Sequence, residues 1–301
     1  MSDGPTLTRT DDALIVTACG TEIARYVLRP DAPAVEAPKP FLHPLRTLSG
    51  APLTAARPWD HRWHKGLQMT WSHVSGQNFW GGPTYVHGRD YVWLDNVGSI
   101  RHERFESVEE HDGEVACTED LTWLNSQGER WITEVRTHRF HSVDRDRGLW
   151  ALDFSTALTN VRGGALELGS PTTSGRPAAG YTGLFWRGPR AWTGGDAVSS
   201  AGHRGNDIMG TRADWIAFSG QHDEIDGGAT VLAFAGTSTG AVPITWFLRS
   251  EPIPVFSPSP SFDRTLTLAP GEVLALRHRL VFVDRSCAHE EITALAEEFT
   301  P

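Results

Sequence analysis

Apolar and polar residues alternate along several short segments of this chain, and the alternation predicts β-strands. A period of two places one set of side chains on one face of a sheet and the next set on the opposite face. These segments are rich in β-branched and aromatic residues and are bounded by Gly, Pro, Asp or Asn. The predicted strands are residues 13–18, 21–28, 115–124, 129–140, 150–158, 229–234 and 273–283.

The C-terminal segment has a different period. In residues 288–299 the apolar positions Ile292, Leu295, Ala296 and Phe299 share one face of a helix. Elsewhere, 30 glycines and 19 prolines suit turns between many short strands. The chain is therefore predicted to be all-β, a large antiparallel sandwich or closed barrel, with a short C-terminal helix.

The chain shows no internal repeat of fixed period and no low-complexity linker, so we expect one domain over residues 1–301. The segment 29–40, rich in Pro and Ala, is predicted to be an extended connection rather than a domain boundary. The expected parts are an N-terminal hairpin with its extended connection (1–38), the main sandwich (39–285) and the C-terminal helix (286–301).

Composition narrows the classes of function. The net charge is −10 and no basic stripe is visible, which argues against a nucleic-acid partner. No apolar run approaches the roughly 20 residues of a membrane-spanning helix, and no secretory signal is apparent. The three cysteines are far apart and outside any CxxC pattern. We expect a soluble, cytoplasmic protein with no membrane partner; nothing in the composition predicts its oligomeric state.

The segment 57–82 concentrates residues with chemical potential. It holds three of the 13 histidines, four of the 12 tryptophans and one of the two lysines. Aromatic rings stack on the C–H faces of sugars, and titratable nitrogens hydrogen-bond hydroxyls, so the mixture is typical of a sugar-binding pocket. The predicted partner is a small carbohydrate. The residues of interest are Asp60, His61, Trp63, His64, Lys65, His73 and Trp80.

His61 and His64 have three interpretations. In a loop both imidazoles can converge on a metal, with His73, His87 or Asp60 as a third ligand. Alternatively, one histidine is an acid or base whose tautomer is set by Asp60. The third interpretation is structural, with both side chains hydrogen-bonding a buried loop. No HExxH motif or clear third ligand supports a metal, so no cofactor is predicted.

Other candidates lie outside that pair. Lys65 is predicted to clamp a carboxylate or phosphate, to form a Schiff base if it is desolvated or, as is more common for a lysine beside glycine, to be solvated. Arg187 and Arg249 follow aromatic pairs at strand ends, where an arginine either grips an anion or pairs with an acid. The remaining candidates are Trp63 and Trp80 as stacking platforms, His87 in a turn, and Glu167 and Glu251 as an acid–base couple.

The order of several motifs resembles the PmoA-like family, bacterial proteins often labelled "methane oxygenase PmoA". The motifs are KPFLHPLRTLSG, WDHRWHKGL, NFWGG, GLFWRG, ADWIAFSG, VPITWFLR, FSPSPSF and LAPGEVLALRHRLVFVD. The last of these also resembles the end of galactose-mutarotase-like proteins, where a Pro-Gly-Glu turn leads into the final strand. That resemblance implies a large antiparallel β-supersandwich, carbohydrate recognition in a groove, a histidine acid and a glutamate base, with Glu251 in a similar place.

We therefore expect a carbohydrate-processing protein with acid–base chemistry of an epimerase or lyase type. His61 or His64 is the predicted acid, and Glu251 or Glu167 the predicted base. Two alternatives stay open at this point: a metal-dependent oxidoreductase with His61 and His64 as ligands, and a sugar-binding module without catalysis.

Overall fold

The fold consists of two large antiparallel sheets. In this computed structural model residues 4–223 and 225–301 are described. In that part of the chain the elements are β1 (Thr6–Arg9), β2 (Ala13–Ala18), β3 (Thr21–Val27), β4 (Phe41–Leu45), β5 (Leu67–Trp71), β6 (His73–Val74), β7 (Thr84–Val86), β8 (Asp90–Val92), β9 (Ser99–His111), β10 (Glu114–Leu124), β11 (Arg130–Asp144), β12 (Leu149–Asn160), β13 (Leu166–Gly169), β14 (Thr182–Arg187), β15 (Asp196–Ser199), β16 (Trp215–Gln221), β17 (Gly228–Ser238), β18 (Thr245–Arg249), β19 (Val255–Ser259), β20 (Leu266–Leu268), β21 (Val273–Val283) and α1 (His289–Phe299).

The first sheet has the strand order β1-β2-β3-β4-β5-β14-β19-β18, and the second has the order β15-β16-β17-β21-β12-β11-β10-β9. A three-stranded sheet (β20-β13-β6) and the β7–β8 hairpin complete the structure. The two large sheets share one apolar core, which contains Val16 and Trp71 from the first sheet and Phe140 and Trp150 from the second. The prediction of an antiparallel β-supersandwich with a C-terminal helix is confirmed.

Alternation along the strands decides which side chains enter this core. In β12, Leu152, Phe154 and Leu158 face the first sheet, whereas Leu149 and Ala151 face the opposite way. Helix α1 covers that outer face with the predicted stripe of Ile292, Leu295, Ala296 and Phe299. Burial of these apolar side chains is what holds a short helix against the sheet.

A buried polar network crosses the core of the second sheet. The guanidinium of Arg136 makes a two-pronged contact with Glu134, through Nε to Oε1 (2.7 Å) and Nη2 to Oε2 (2.9 Å). Arg136 Nη1 also donates to the hydroxyl of Tyr26 at 2.9 Å, and that hydroxyl donates to Glu119. The second oxygen of Glu119 lies 2.6 Å from Nδ1 of His102. Charged groups tolerate such burial only when they are paired and hydrogen-bonded, as these are.

Histidine 278, inside the sandwich on β21, makes stability depend on pH. Its Nδ1 donates to the carbonyl of Ala235 at 2.8 Å, while Nε2 is buried without a partner. Burial lowers the pKa of His278 to about 4. Between about pH 6.5 and pH 4 this histidine is protonated in the unfolded chain but stays neutral in the folded chain. The free energy of unfolding therefore decreases as the pH falls through this range.

We expect His278→Asn to remove up to about 3 kcal/mol of the decrease in unfolding free energy between pH 7 and pH 4, from a pKa difference of roughly 2.5 units. Asparagine retains a donor for Ala235 but does not titrate. Urea unfolding at a series of pH values measures the slope for wild type, His278→Asn and the exposed control His203→Asn. An unchanged slope in His278→Asn contradicts the assignment.

Candidate functional site

A cavity of about 300 Å³ opens on the outer face of the first sheet. Alternation creates it: Trp186 in β14 and Leu248 in β18 point into the core, and their neighbours Phe185 and Phe247 point the opposite way. On that outer face Phe185 and Phe247 form the floor of the cavity together with Val255 of β19.

Aromatic side chains form most of the cavity wall. Trp80 packs against Tyr181 with ring centroids 4.4 Å apart and against Phe185 at 4.6 Å. Contacts between rings at these distances stabilise the wall and keep its shape fixed. The aromatic residues that line the cavity are Trp63, Trp80, Tyr91, Tyr181, Phe185 and Phe247.

Glycine at two positions allows Trp63 to reach the cavity. Gly81 and Gly82 have φ of +98° and +69°, and a Cβ at Gly82 would lie 2.6 Å from the indole ring of Trp63. The NFWGG turn is held by Asn78, whose Oδ1 accepts from the backbone N–H groups of Trp80 and Gly81, both at 2.9 Å. Only glycine meets both requirements, positive φ and no side chain under the ring.

His61 and Asp60 form a histidine–carboxylate pair at the cavity. Nδ1 of His61 lies 3.1 Å from Oδ2 of Asp60, within ion-pair distance although not aligned as a hydrogen bond. The other oxygen of Asp60 accepts from Arg190 Nη2 at 2.8 Å. Partial burial raises the pKa of Asp60, but His61 and Arg190 outweigh it and hold the pKa below its usual value. Asp60 is thus a carboxylate that can orient the imidazole of His61.

His64 lies beside His61 and is chemically different. Its ring is buried against Phe185 (centroids 4.9 Å apart) and Trp80 (5.5 Å), and Nδ1 has no hydrogen-bond partner. Burial, followed by the charges of His61, Arg187 and Lys39, lowers the pKa of His64 well below its usual value. The His64 imidazole is therefore neutral, while the His61 side chain is 39% exposed.

Two arginines and two tyrosines close the cavity. Arg176 Nη1 donates to the hydroxyl of Tyr91 at 2.6 Å, and the hydroxyls of Tyr91 and Tyr181 are 2.7 Å apart. Arg249, a predicted binding residue, lies over the ring of Phe247 and donates to the carbonyl of Ala178 at 3.2 Å. Burial, and next the charge of Arg176, lowers the pKa of Arg249.

The structure brings five predicted site residues to the cavity lining and one beside it. His61, His64, Trp63, Trp80 and Arg249 line the cavity, and Asp60 contacts His61. Sequence reasoning missed Tyr91, Arg176 and Tyr181. The rarity of tyrosine could have indicated Tyr91 and Tyr181, because the chain has only four tyrosines and the hydroxyls of these two are in contact at the cavity.

The predicted glutamate base is not assembled at this cavity. Glu167 alternates with the buried Leu166 and Leu168 on β13, so its side chain points outward, where it accepts from Thr267 at 2.9 Å. Glu251 is exposed in the loop between β18 and β19 and does not line the cavity. Asp60 is instead the carboxylate in contact with His61.

Lys65 is buried away from the cavity lining. Its Nζ lies 3.6 Å from Oε2 of Glu36, which also holds Arg57 through two contacts of 2.8 Å. Burial lowers the pKa of Lys65 to about 8. The other lysine, Lys39, is also buried and donates to the carbonyl of Trp80 at 3.1 Å. Lys39 thus supports the cavity wall through Trp80, whereas Lys65 is held by Glu36 in the interior, which corrects the prediction of a ligand clamp at Lys65.

Arg187 and His87 also lie outside the lining. Arg187 is fully buried, with Nη1 at 3.5 Å from the carbonyl of Pro254 and Nε without a partner, and burial lowers its pKa to about 10. His87 is exposed at the tip of the β7–β8 hairpin, where its ring packs against the backbone of Gly175. Its contact supports the loop that carries Arg176 rather than the cavity itself.

Metal ligation was one of the three interpretations of His61 and His64. Residues 4–223 and 225–301 contain no group of three or more His, Cys, Asp or Glu arranged to hold a metal ion. His73, one predicted third ligand, contacts Ser72 and the carbonyl of Tyr85 through its two nitrogens, both at 3.1 Å.

The sheets and this cavity define the class of protein: an antiparallel β-supersandwich with an aromatic site on the outer face of one sheet. The chain belongs to a family described as "Family of unknown function (DUF6807)", which matches residues 13–297. The expected membership of the PmoA-like family is wrong, because the family model that matches the sequence is DUF6807. No curated protein matches the sequence.

Several solved structures are similar to this chain at low sequence identity and with TM-scores below 0.5. An α-galactosidase from Lactobacillus brevis is 8% identical over 93% of this chain and 39% of its own, with a TM-score of 0.40. A GH36 α-galactosidase from Geobacillus stearothermophilus is 11% identical (94% and 41%, TM-score 0.42). The galactose 1-epimerase from Lactobacillus acidophilus is 8% identical (95% and 100%, TM-score 0.40). The chain thus spans about 40% of the length of the two α-galactosidases.

None of the helices in the described residues combines the length and the apolar composition that a membrane span requires.

Proposed function

We propose that this protein binds a single sugar ring in the cavity and that His61 transfers a proton to or from it. The observation that carries the proposal is the His61–Asp60 pair at the edge of an aromatic cavity of about 300 Å³. Pockets for small molecules start at about this volume and combine apolar walls with a few polar groups, as this one does.

Binding rests on the aromatic wall. The ring of Trp63 suits the C–H surface of a sugar, the buried Trp80 adds apolar surface to the wall, and the hydroxyls of Tyr91 and Tyr181 can hydrogen-bond the sugar oxygens. Trp80 and Tyr181 are packed against each other at 4.4 Å, so the wall loses little freedom when a ligand binds.

The chemistry rests on the difference between the two histidines. His61 is partly exposed and contacts a carboxylate, whereas His64 is buried and neutral. A histidine oriented by a carboxylate is suited to general acid–base catalysis. Proton transfer at a sugar carbon, as in epimerisation or elimination, is the reaction class that fits. Asp60 orients His61 and replaces the glutamate that the sequence suggested.

A sugar-binding module without catalysis is the second candidate. It is favoured by one observation: within the part of the chain that the structure describes, no carboxylate lines the cavity to act as a second acid or base. Both candidates require the same binding site, so binding is the first property to test.

We expect Trp63→Ala to weaken sugar binding by roughly 5- to 30-fold, because losing one stacking face costs about 1–2 kcal/mol. Titration calorimetry with a panel of neutral and anionic monosaccharides measures the dissociation constants. The control is Trp59→Ala in the same segment, whose side chain is 78% exposed and outside the lining. Equal losses in both variants, or no binding of any sugar to wild type, contradict the proposed site.

A further inference from the structure

The charge on the cavity wall is one-sided. Arg176 and Arg249 both line the cavity, and in residues 4–223 and 225–301 no Asp or Glu lines it with them. Among the described residues, neither arginine has a carboxylate within ion-pair distance. Other arginines in the same chain are paired, for example Arg57 with Glu36 and Arg279 with Asp153.

This one-sided charge is unusual for the composition of the chain. Acidic residues outnumber Lys and Arg by 37 to 27, so carboxylates to pair with these arginines are not scarce. Two guanidinium groups that face one half-buried space repel each other, and the lowered pKa of Arg249, due first to burial and next to Arg176, reflects that cost. An anion in the cavity would offset it.

Both guanidinium groups keep donors to offer. A guanidinium has five N–H donors in a fixed fork that matches an oxyanion. Arg176 uses one donor on Tyr91 at 2.6 Å and rests over its ring at 4.7 Å from the centroid. Arg249 uses one on Ala178 at 3.2 Å and lies 5.5 Å from the centroid of Phe247. The aromatic contacts hold both arginines in place before a ligand arrives.

A binding site for a neutral sugar would need different polar groups in the cavity wall. Its hydroxyls are donors as well as acceptors, and a site for them needs carboxylate, amide or carbonyl oxygens that accept. The side chains of this cavity offer guanidinium, phenol, indole and imidazole groups, of which most donate. The wall therefore suits a ligand with surplus acceptors and negative charge.

We infer that the ligand is an anionic sugar whose carboxylate or phosphate group is bound by Arg176 and Arg249. This inference rests on the proposed function and specifies its substrate class. Carboxylate and phosphate share the oxyanion geometry that the guanidinium fork recognises, and the experiment separates them.

The test compares matched ligands on the intact protein. Calorimetry at low salt is run with galactose, galacturonate and galactose 6-phosphate, and with the corresponding glucose series. We expect at least one anionic member to bind ten-fold or more tightly than its neutral partner. In Arg249→Gln and Arg176→Gln this preference is expected to fall at least ten-fold, with the affinity for the neutral sugar little changed. The control Arg101→Gln, exposed on β9 of the other sheet, is expected to keep the preference.

Each outcome decides between the claims. Preference for the uronate assigns the site to a carboxylate, and preference for the phosphate assigns it to a phosphate ester. Neutral sugars that bind as tightly as both anionic partners overturn the inference and leave the proposed function standing. A preference that survives both substitutions also overturns it. If no sugar in either series binds wild type, the proposed function fails and the inference fails with it. Because the wild-type comparison needs no variant, a misfolded variant does not hide the result.

Discussion

Replacing Arg136 with methionine is expected to lower the free energy of unfolding by about 3–5 kcal/mol, the cost of leaving a buried ion pair without one partner. Arg136 is fully buried and binds both oxygens of Glu134, at 2.7 and 2.9 Å. Methionine keeps the aliphatic volume but leaves the carboxylate of Glu134 buried without its cation. The hydroxyl of Tyr26 also loses a donor at 2.9 Å.

Urea unfolding followed by tryptophan fluorescence measures the effect. The control is Arg104→Met, whose side chain is 72% exposed and pairs with Asp120 on the same sheet. We expect no measurable shift of its midpoint, because exposed ion pairs contribute little. The double variant Arg136→Met/Glu134→Gln is expected to recover part of the loss, since the uncompensated charge is then removed. A decrease below about 1 kcal/mol in Arg136→Met would show that the network is not needed to hold the sheets together.

The buried polar network around Arg136 could not be predicted from the sequence, although the strands that carry it could. Alternation correctly predicted β12 and β21, where most inward positions are apolar, and also β10 and β11, although some inward positions of these two strands are polar. It gave no sign that Glu119, Glu134 and Arg136 also face inward, since charged residues on a strand normally mark the solvent side. Their partners come from distant strands, and contacts between distant strands leave no local pattern.

The outer strand β9 was missed for a related reason. Ser99–His111 is rich in Arg and Glu and lies at the edge of the second sheet, with much of its length exposed. Without a buried face, a strand loses the apolar alternation by which it is recognised. Charged residues on an edge strand are also what prevents unwanted pairing with another sheet.

The candidate site could be predicted only in part. The segment 57–82 was identified because His and Trp are rare together in a loop, and four of its residues, His61, Trp63, His64 and Trp80, line the cavity. Lys65 was misjudged because a neighbouring glycine suggests exposure, whereas Glu36, 29 residues earlier, holds it in the interior. Arg176 lies in a loop rich in Gly, Ser and Thr, where composition does not distinguish a binding arginine from a solvated one.

His61→Gln is expected to lower turnover of a bound sugar by roughly 10²–10⁴-fold, the usual contribution of a general acid or base. Glutamine retains hydrogen bonding near Asp60 but cannot carry the proton, so binding is expected to change far less than turnover. Proton NMR in D₂O measures the reaction, because the signal of the abstracted C–H proton is lost in either case. Epimerisation returns deuterium from the solvent to that carbon, whereas elimination expels the leaving group and leaves a double bond there.

The chain offers a matched control in a second histidine–aspartate pair. Nδ1 of His111 lies 2.8 Å from Oδ2 of Asp112, but that pair is exposed in the β9–β10 turn, and His111 is 79% exposed. If a carboxylate neighbour were enough to make a histidine reactive, His111→Gln would also reduce turnover. We expect it to be silent, because only His61 combines its carboxylate with the aromatic cavity. If the wild type causes no loss of the C–H signal above the uncatalysed rate, the cavity is assigned to binding alone. Equal catalysed loss in wild type and His61→Gln would contradict the role of His61 in proton transfer.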